Sequence, residues 1–158
     1  ELYAMNIRGF MLESVQFPDG TKSGATYPGE KESSKRNQVL KDFVSAVNKK
    51  LPKDALLIVS EGATDAAQGN DSIYFGSMSS ISADAIAADT RNRSEELVLD
   101  KKDKFSSLIS LYGNVSKSFP KKLVIPIISM DEYSRSYIRT MKKNSYTSYI
   151  LIDENGNY

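Results

Sequence analysis

The chain has 158 residues, no histidine and no cysteine, and its 21 basic and 20 acidic side chains leave a net charge of +1. The missing residue types exclude Ser-His-Asp and Cys-His catalytic arrangements, disulfides and zinc–thiolate sites, so a metal site would need oxygen ligands, as Mg²⁺ does. No apolar run approaches the ~18 residues of a membrane-spanning helix, and the length fits one domain with a core of its own.

The first half of the chain predicts an irregular start followed by helix and strand. Residues 1–30 form a less regular strand or hairpin region that is rich in turn residues. A helix is predicted over 33–51, because apolar side chains recur there at helical spacing and Pro52 follows. The continuous apolar run at 55–59 is typical of a buried strand. The elements predicted next are a polar loop at 61–71, a strand at 72–75 and a short Ala-rich helix at 82–89.

The second half of the chain is predicted to continue with alternating strands and helices. Residues 97–99 are predicted as a strand, and Asp100 as the N-cap of a helix that ends at Gly113. A strand follows at 123–128, and Pro126 predicts that it lies at an edge of the sheet or contains a bulge. The last elements are a helix that Ser129 and Glu132 cap as a capping box and that runs to Lys143, and a strand at 146–152.

This order of elements predicts the fold class. Helices that alternate with strands favour an α/β fold with parallel strands and helices packed on the sheet. We predict a single domain over 1–158, with a mixed, mainly parallel sheet of four or five strands.

Carboxylates follow several of the predicted strands. Glu61 and Asp65 come directly after the first buried strand, and ligands of open α/β sheets bind beyond the carboxyl ends of strands. These two residues are the candidate catalytic groups of a Mg²⁺-dependent enzyme. Together with Asp131 and Asp153, which follow later strands, Glu61 is also a candidate Mg²⁺ ligand. The plainer interpretation is a polar loop in which Thr64 or Asp65 caps a helix.

The same loop resembles the first motif of Toprim domains, which occur in primases, topoisomerases and some nucleases. The resemblance is carried by a hydrophobic strand that delivers Glu61 followed by Gly62. It implies acid–base or metal chemistry at Glu61 in a phosphoryl-transfer or nuclease-type enzyme. The second motif of that family, Asp-x-Asp after a later strand, has no full match in this chain.

The loop also resembles OmpA-like peptidoglycan-binding domains. Here the resemblance is carried by a helix and a strand followed by Thr64, Asp65 and Gly69. It implies that a later arginine, Arg91 or Arg93 in this chain, helps to hold the diaminopimelate of peptidoglycan.

Basic side chains are concentrated in residues 101–143, which carry ten Lys and Arg but three Asp and Glu. Arg135 and Arg139 share one helix face, so basic groups there can bind phosphates while tyrosines stack on bases. The candidate nucleic-acid-binding residues are Tyr133, Arg135, Arg139, Lys142 and Lys143. In the alternative interpretation, Tyr137 and its apolar neighbours pack on the sheet and the cations are solvated.

These observations lead to an expected function. Because no complete catalytic motif is present, we expect a non-catalytic binding or assembly module without a cofactor, and a protein as its partner. A Mg²⁺-dependent enzyme and a nucleic-acid-binding or peptidoglycan-binding module are the alternatives. The Ser-, Asn-, Lys- and Tyr-rich composition is typical of bacterial proteins, and the absence of cysteine permits an oxidising compartment. We therefore expect a bacterial cell-envelope location, periplasmic or extracellular.

Overall fold

A computed structural model describes residues 8–13, 15, 33–68, 81–90, 101–130 and 134–153. The strands are β1 (Gly9–Leu12), β2 (Leu56–Gly62), β3 (Ala85–Asp89), β4 (Leu123–Ser129) and β5 (Ile150–Ile152). The helices are α1 (Ser33–Lys50), α2 (Ala63–Gln68), α3 (Lys101–Ser118) and α4 (Ser134–Lys143). None of these helices is long and apolar enough to cross a membrane.

The five strands form one sheet in the order β1-β2-β3-β4-β5. Every pairing is parallel, with Met11 opposite Ile58, Val59 opposite Ile86 and Ile127 opposite Ile150. The predicted α/β class, the strand number and the mainly parallel sheet are therefore confirmed, and the sheet as described has no antiparallel strand. The predicted helix at 33–51 and the predicted strands at 55–59 and 123–128 are also present, with different ends. The loop predicted at 61–71 is wrong in its first part, because β2 continues to Gly62 and α2 begins at Ala63.

The helices pack on one face of the sheet. When consecutive parallel strands are neighbours, right-handed crossovers place all the connecting helices on the same side. The main core accordingly joins Val59 and Ile86 of the strands to residues of all four helices. A second, smaller cluster on the opposite face is centred on Ala87, Ile127 and Ile152. This order of strands is the one found in (β/α) barrels.

The predicted helix at 82–89 is wrong, because residues 85–89 form β3. Alanine has the highest helix propensity, but tertiary packing overrides propensity where a segment is enclosed on all sides. β3 lies between β2 and β4, and its residues 85–88 are buried. The predicted strands at 72–75 and 97–99 lie outside the described residues.

The end predicted for α3 at Gly113 is also wrong, since the helix continues to Ser118. The apolar stripe does not stop at the glycine: Tyr112, Val115 and Phe119 are all buried in the main core. A Cβ placed on Gly113 would meet no atom within 4 Å, so neither a turn nor a close contact requires glycine there.

The prediction that Pro126 places β4 at an edge of the sheet or in a bulge is wrong. β4 lies inside the sheet, and Pro126 pairs in regular register with Ala88 of β3. On its other side, β5 begins level with Ile127. The missing N–H of the proline is tolerated because β5 does not flank that part of β4.

The connection from β4 to α4 differs from the predicted capping box. Ser129 is the last residue of β4, and α4 begins only at Ser134, whose hydroxyl donates to the Ser129 carbonyl over 3.2 Å. The predicted end of the helix is confirmed, because α4 ends at Lys143 and Ser145 has a left-handed φ of 68°. The strand predicted at 146–152 is shorter and begins at Ile150.

Candidate functional site at the carboxyl edge of the sheet

All five strands end at the same edge of the sheet because they are parallel, and four of them deliver a carboxylate there. We call this the carboxyl edge; its residues are Glu13, Glu61, Gly62, Asp89, Thr90, Ser129 and Asp153. Glu13 follows β1, Glu61 is the second-last residue of β2, Asp89 ends β3 and Asp153 follows β5. In parallel α/β sheets this edge is where ligands bind.

Glu61 is the most enclosed of these acids, with 5% of its surface exposed. It lies level with Ala88 of β3, and α2 starts two residues later at Ala63. Side chains alternate along a strand, so Glu61 is on the same face as Val59 and therefore on the helix-covered face. A buried carboxylate is costly unless other groups compensate it, and Glu61 does have interactions within the protein.

Asp89 lies on the other face of the same edge. It pairs with Gly62 of β2 and Ile127 of β4. Because side chains alternate along a strand, Asp89 lies on the same face as Ala87 and on the opposite face from Ala88. Its side chain is half-buried. Gly62, its partner on β2, has no side chain. The two acids thus approach the end of the sheet from opposite faces.

Thr90, the next residue after Asp89, fixes the end of β3. Its hydroxyl donates to the carbonyl of Ile127 over 2.9 Å and lies 3.1 Å from the Tyr112 hydroxyl. Since a threonine hydroxyl has one hydrogen, the Tyr112 hydroxyl is the donor in the second bond. Burial of Tyr112 raises its pKa well above the ordinary value of 10.0, with a smaller contribution from the nearby Asp89 charge.

The other predicted acidic site residues are spread along the edge. Glu61 and Asp153 belong to β2 and to the end of β5, and two strands lie between them. At ~4.8 Å per strand the separation across a flat sheet is about 14 Å. Asp131 lies outside the described residues, and only the backbone of Asp65, within α2, is described. Among the described residues no three acids are grouped closely enough to hold a metal ion.

The predicted basic residues lie on the outer surface of α4. Their exposed members are Arg135, Arg139, Lys142 and Lys143, whereas Tyr133 lies outside the described residues. Tyr137 and Met141 are buried against the sheet, as the alternative interpretation predicts. Tyr137 is therefore not available to stack on a base.

Polar side chains at the opposite edge, where the strands begin, bond to the main chain. We call this the amino edge; its residues are Asn48, Asp54, Leu57, Ser82, Ala83, Asp84 and Lys122. A carboxylate oxygen of Asp84 accepts from the Leu57 N–H over 2.8 Å. Lys122 Nζ donates to the Ala83 carbonyl over 2.6 Å, and Asn48 Nδ2 donates to the Ser82 carbonyl over 2.8 Å.

Sequence reasoning missed Asp89 and Thr90 because it assigned residues 82–89 to a helix. The available signal was the pattern found for Glu61, an apolar run that ends in a carboxylate. The run Ala85 to Ala88 has the helix-favouring composition that concealed it.

Comparison with known proteins finds a structure with a similar fold but identifies no family. No protein-family model matches the chain, and no curated protein matches it in sequence. Its fold is similar to that of a bacterial enzyme domain, the PgaB (BpsB) glycoside hydrolase domain from Bordetella bronchiseptica, with a TM-score of 0.54 and 13% sequence identity. The alignment covers 85% of this chain and 42% of that one, so the chain spans less than half of that structure.

Proposed function

We propose that this chain is a binding module of the bacterial cell envelope whose ligand is a saccharide held at the carboxyl edge. The observation that carries the proposal is the delivery of four carboxylates, those of Glu13, Glu61, Asp89 and Asp153, to one edge of a parallel sheet. Carboxylates accept hydrogen bonds from the hydroxyl groups that cover a sugar. The similar fold belongs to a glycoside hydrolase domain, and this supports a saccharide as the ligand class.

The negative charge of the carboxyl edge determines which saccharides are expected to bind. A row of carboxylates repels anionic ligands, so neutral and cationic saccharides are expected to bind better than acidic ones.

The test is a calorimetric titration with three oligosaccharides: a neutral glucan, a cationic glucosamine oligomer and an anionic galacturonate oligomer. Asp89→Asn removes one charged acceptor beside Gly62 and is expected to weaken binding of the preferred saccharide by about 10- to 100-fold, because such hydrogen bonds contribute about 1.5–3 kcal/mol. The matched control is Asp54→Asn at the amino edge, where Asp54 makes an exposed ion pair with Arg8. The control is expected to bind like the wild type.

Two results would contradict the proposal. One is that none of the three oligosaccharides binds to the wild-type chain. The other is that Asp89→Asn and Asp54→Asn weaken binding equally, which would remove the carboxyl edge as the site.

A second candidate function is binding of an acidic partner, nucleic acid or protein, by α4. The four exposed cations Arg135, Arg139, Lys142 and Lys143 on one helix favour it. The anionic oligomer in the same titration is its probe. Preferential binding of that oligomer, weakened by salt and unchanged in Asp89→Asn, would support the second candidate over the first.

A further inference from the structure

Exposed lysines collect at the amino edge of the sheet. The helices that precede β2 and β4 run back from the carboxyl edge, so their last turns lie beside the starts of those strands. These turns and the residues that follow them carry five lysines, all exposed. We call them the amino-edge lysines: Lys49, Lys50, Lys53, Lys117 and Lys121. Lysines in a last helical turn complement the helix dipole, but Lys53 and Lys121 lie beyond the helix ends.

Hydrogen bonds hold both helix ends against the segment that leads into β3. From α1, Asn48 Nδ2 donates to the Ser82 carbonyl over 2.8 Å and to the Ser82 hydroxyl over 3.1 Å. From the turn after α3, Lys122 Nζ donates to the Ala83 carbonyl over 2.6 Å. The amino-edge lysines of the two helix ends therefore belong to one surface.

Two acids lie at the amino edge as the structure describes it, and both have other partners. Asp54 makes an ion pair with Arg8, with 3.3 Å between Arg8 Nε and the carboxylate. A carboxylate oxygen of Asp84 accepts from the Leu57 N–H over 2.8 Å. Among the described residues, none of the amino-edge lysines has an ion pair. This end of the protein therefore has a positive surface potential.

Two large aliphatic side chains are exposed beside the amino-edge lysines. Leu56 begins β2 and is 39% exposed, and Leu123 begins β4 and is 52% exposed. Main-chain bonds of Asp84 to Leu57 and Leu123 fix the two strand starts on either side of β3. Each leucine is followed along its strand by a residue of the main core, so both lie on the face opposite the helices. Exposed apolar groups within a charged surface are typical of an interaction site.

We propose that the amino edge is a docking surface for an anionic lipid bilayer. The amino-edge lysines would lie on the lipid headgroups, and Leu56 and Leu123 would enter the boundary between headgroups and acyl chains. Basic side chains combined with exposed aliphatic ones bind peripheral proteins to such bilayers. Docking by this edge turns the carboxyl edge away from the membrane. The inference is independent of the ligand proposed for the carboxyl edge.

The residue types at this surface favour lipid over nucleic acid. Nucleic-acid-binding surfaces use arginine, which binds phosphate in bidentate geometry, and aromatic side chains that stack on bases. At the amino edge as described, Arg8 is paired with Asp54, and the large exposed apolar residues are leucines. Lysine is a flexible, hydrated point charge, which suits a fluid array of headgroups.

The first test is cosedimentation with vesicles of phosphatidylcholine alone and with vesicles of phosphatidylcholine and phosphatidylglycerol. The wild type is expected to bind only the anionic vesicles and to leave them in about 1 M salt, where the Debye length is about 3 Å. Replacing three amino-edge lysines together, as Lys50→Gln, Lys53→Gln and Lys121→Gln, is expected to weaken binding about 100-fold. Lys122 is kept, because it bonds to the Ala83 carbonyl.

The matched control removes the same charge from the outer surface of α4, as Arg135→Gln, Arg139→Gln and Lys142→Gln. All six substitutions are at exposed positions, so both variants are expected to unfold at the wild-type urea concentration. The control is expected to keep its affinity for the anionic vesicles to within about tenfold, because its cations lie away from the amino edge.

A second test measures which end of the protein meets the bilayer. The chain has no cysteine, so one introduced cysteine can carry an environment-sensitive fluorophore. Leu123→Cys places it at the start of β4, and Met130→Cys places it directly after the end of the same strand, where Met130 is 48% exposed. Fluorescence of the label at 123 is expected to rise several-fold with anionic vesicles, and that of the label at 130 to stay unchanged.

Four results would overturn the inference. The wild type binds no vesicles, it binds neutral and anionic vesicles equally, the two triple variants lose affinity equally, or the label at 130 responds rather than the label at 123. A DNA duplex is included as a competing polyanion. Binding of the duplex without binding of vesicles, lost in the lysine variant, would assign the surface to nucleic acid instead.

Discussion

The two edges of the sheet use polar side chains in different ways. At the amino edge, Asp84, Lys122 and Asn48 each bond to a main-chain group of a neighbouring segment. The main chain of Asp84 also bonds to the Leu57 carbonyl over 2.8 Å and receives the Leu123 N–H over 3.3 Å, so this residue connects the starts of β2, β3 and β4. At the carboxyl edge, four of the five strands end in or next to a carboxylate.

We propose a division between the two edges. Polar groups that bond to the main chain at the amino edge stabilise the fold, whereas a saccharide binds at the carboxyl edge, whose carboxylates also have interactions within the protein. Barrels of βα units show the same division, with stability residues at the amino ends of the strands and active sites at the carboxyl ends. Substitutions at the two edges should therefore separate stability from binding.

The largest effect on stability is expected for Asp84→Ala. The variant leaves the Leu57 N–H without its 2.8 Å acceptor, and a hydrogen bond to a charged group contributes about 1.5–3 kcal/mol. The free energy of unfolding should fall by about 2 kcal/mol in urea, with the m-value unchanged and saccharide affinity retained. Asp84→Asn keeps a carbonyl acceptor and should recover part of the loss. Asp54→Ala, an exposed change at the same edge, should cost less than about 0.5 kcal/mol. Equal losses in Asp84→Ala and Asp54→Ala would remove the structural role assigned to the Asp84 carboxylate.

A smaller effect, which appears only in alkali, is expected for Tyr112→Phe. Burial raises the pKa of Tyr112 in the folded protein above its unfolded value of 10.0. The folded state therefore holds the phenolic proton more tightly than the unfolded state. Its contribution to stability is complete below pH 10 and is lost progressively as the pH rises towards the folded pKa.

Urea titrations at pH 9, 10 and 11 measure this effect. Above pH 10, wild-type stability should fall more steeply than that of Tyr112→Phe, by up to about 1.4 kcal/mol per pH unit. Near neutral pH the variant should lose about 1 kcal/mol for one hydrogen bond, since Thr90 still donates to the Ile127 carbonyl. Parallel pH profiles for the two proteins would show that Tyr112 ionises normally in the folded state.

The sequence predicts the parts of the fold that rest on local pattern. The apolar stripe of α1 predicts a helix, the short β-branched runs of β2 and β4 predict strands, and their alternation leads to a parallel sheet. β3 could not be predicted in this way, because the composition of Ala85–Asp89 favours a helix and only its place between two other strands makes it extended. Gly113 is similarly typical of a helix end, although packing of Val115 and Phe119 carries α3 past it.

The candidate site could likewise be predicted only in part from the sequence. Glu61 follows a run that is visibly a strand, so its position at the carboxyl edge follows from the sequence. Asp89 depends on β3 and could not be predicted without it.

Binding at the carboxyl edge is best tested by an amide NMR titration of the ¹⁵N-labelled chain with the oligosaccharide that binds best. We expect shift changes to concentrate at the ends of the strands, at Glu13, Gly62, Thr90, Met130 and Asp153, with little change at Ala55, Ala83 and Lys122 of the opposite edge. Shift changes centred on the amino edge or on the outer surface of α4 would contradict a saccharide site at the carboxyl edge, because the ligand would then bind away from the carboxylates.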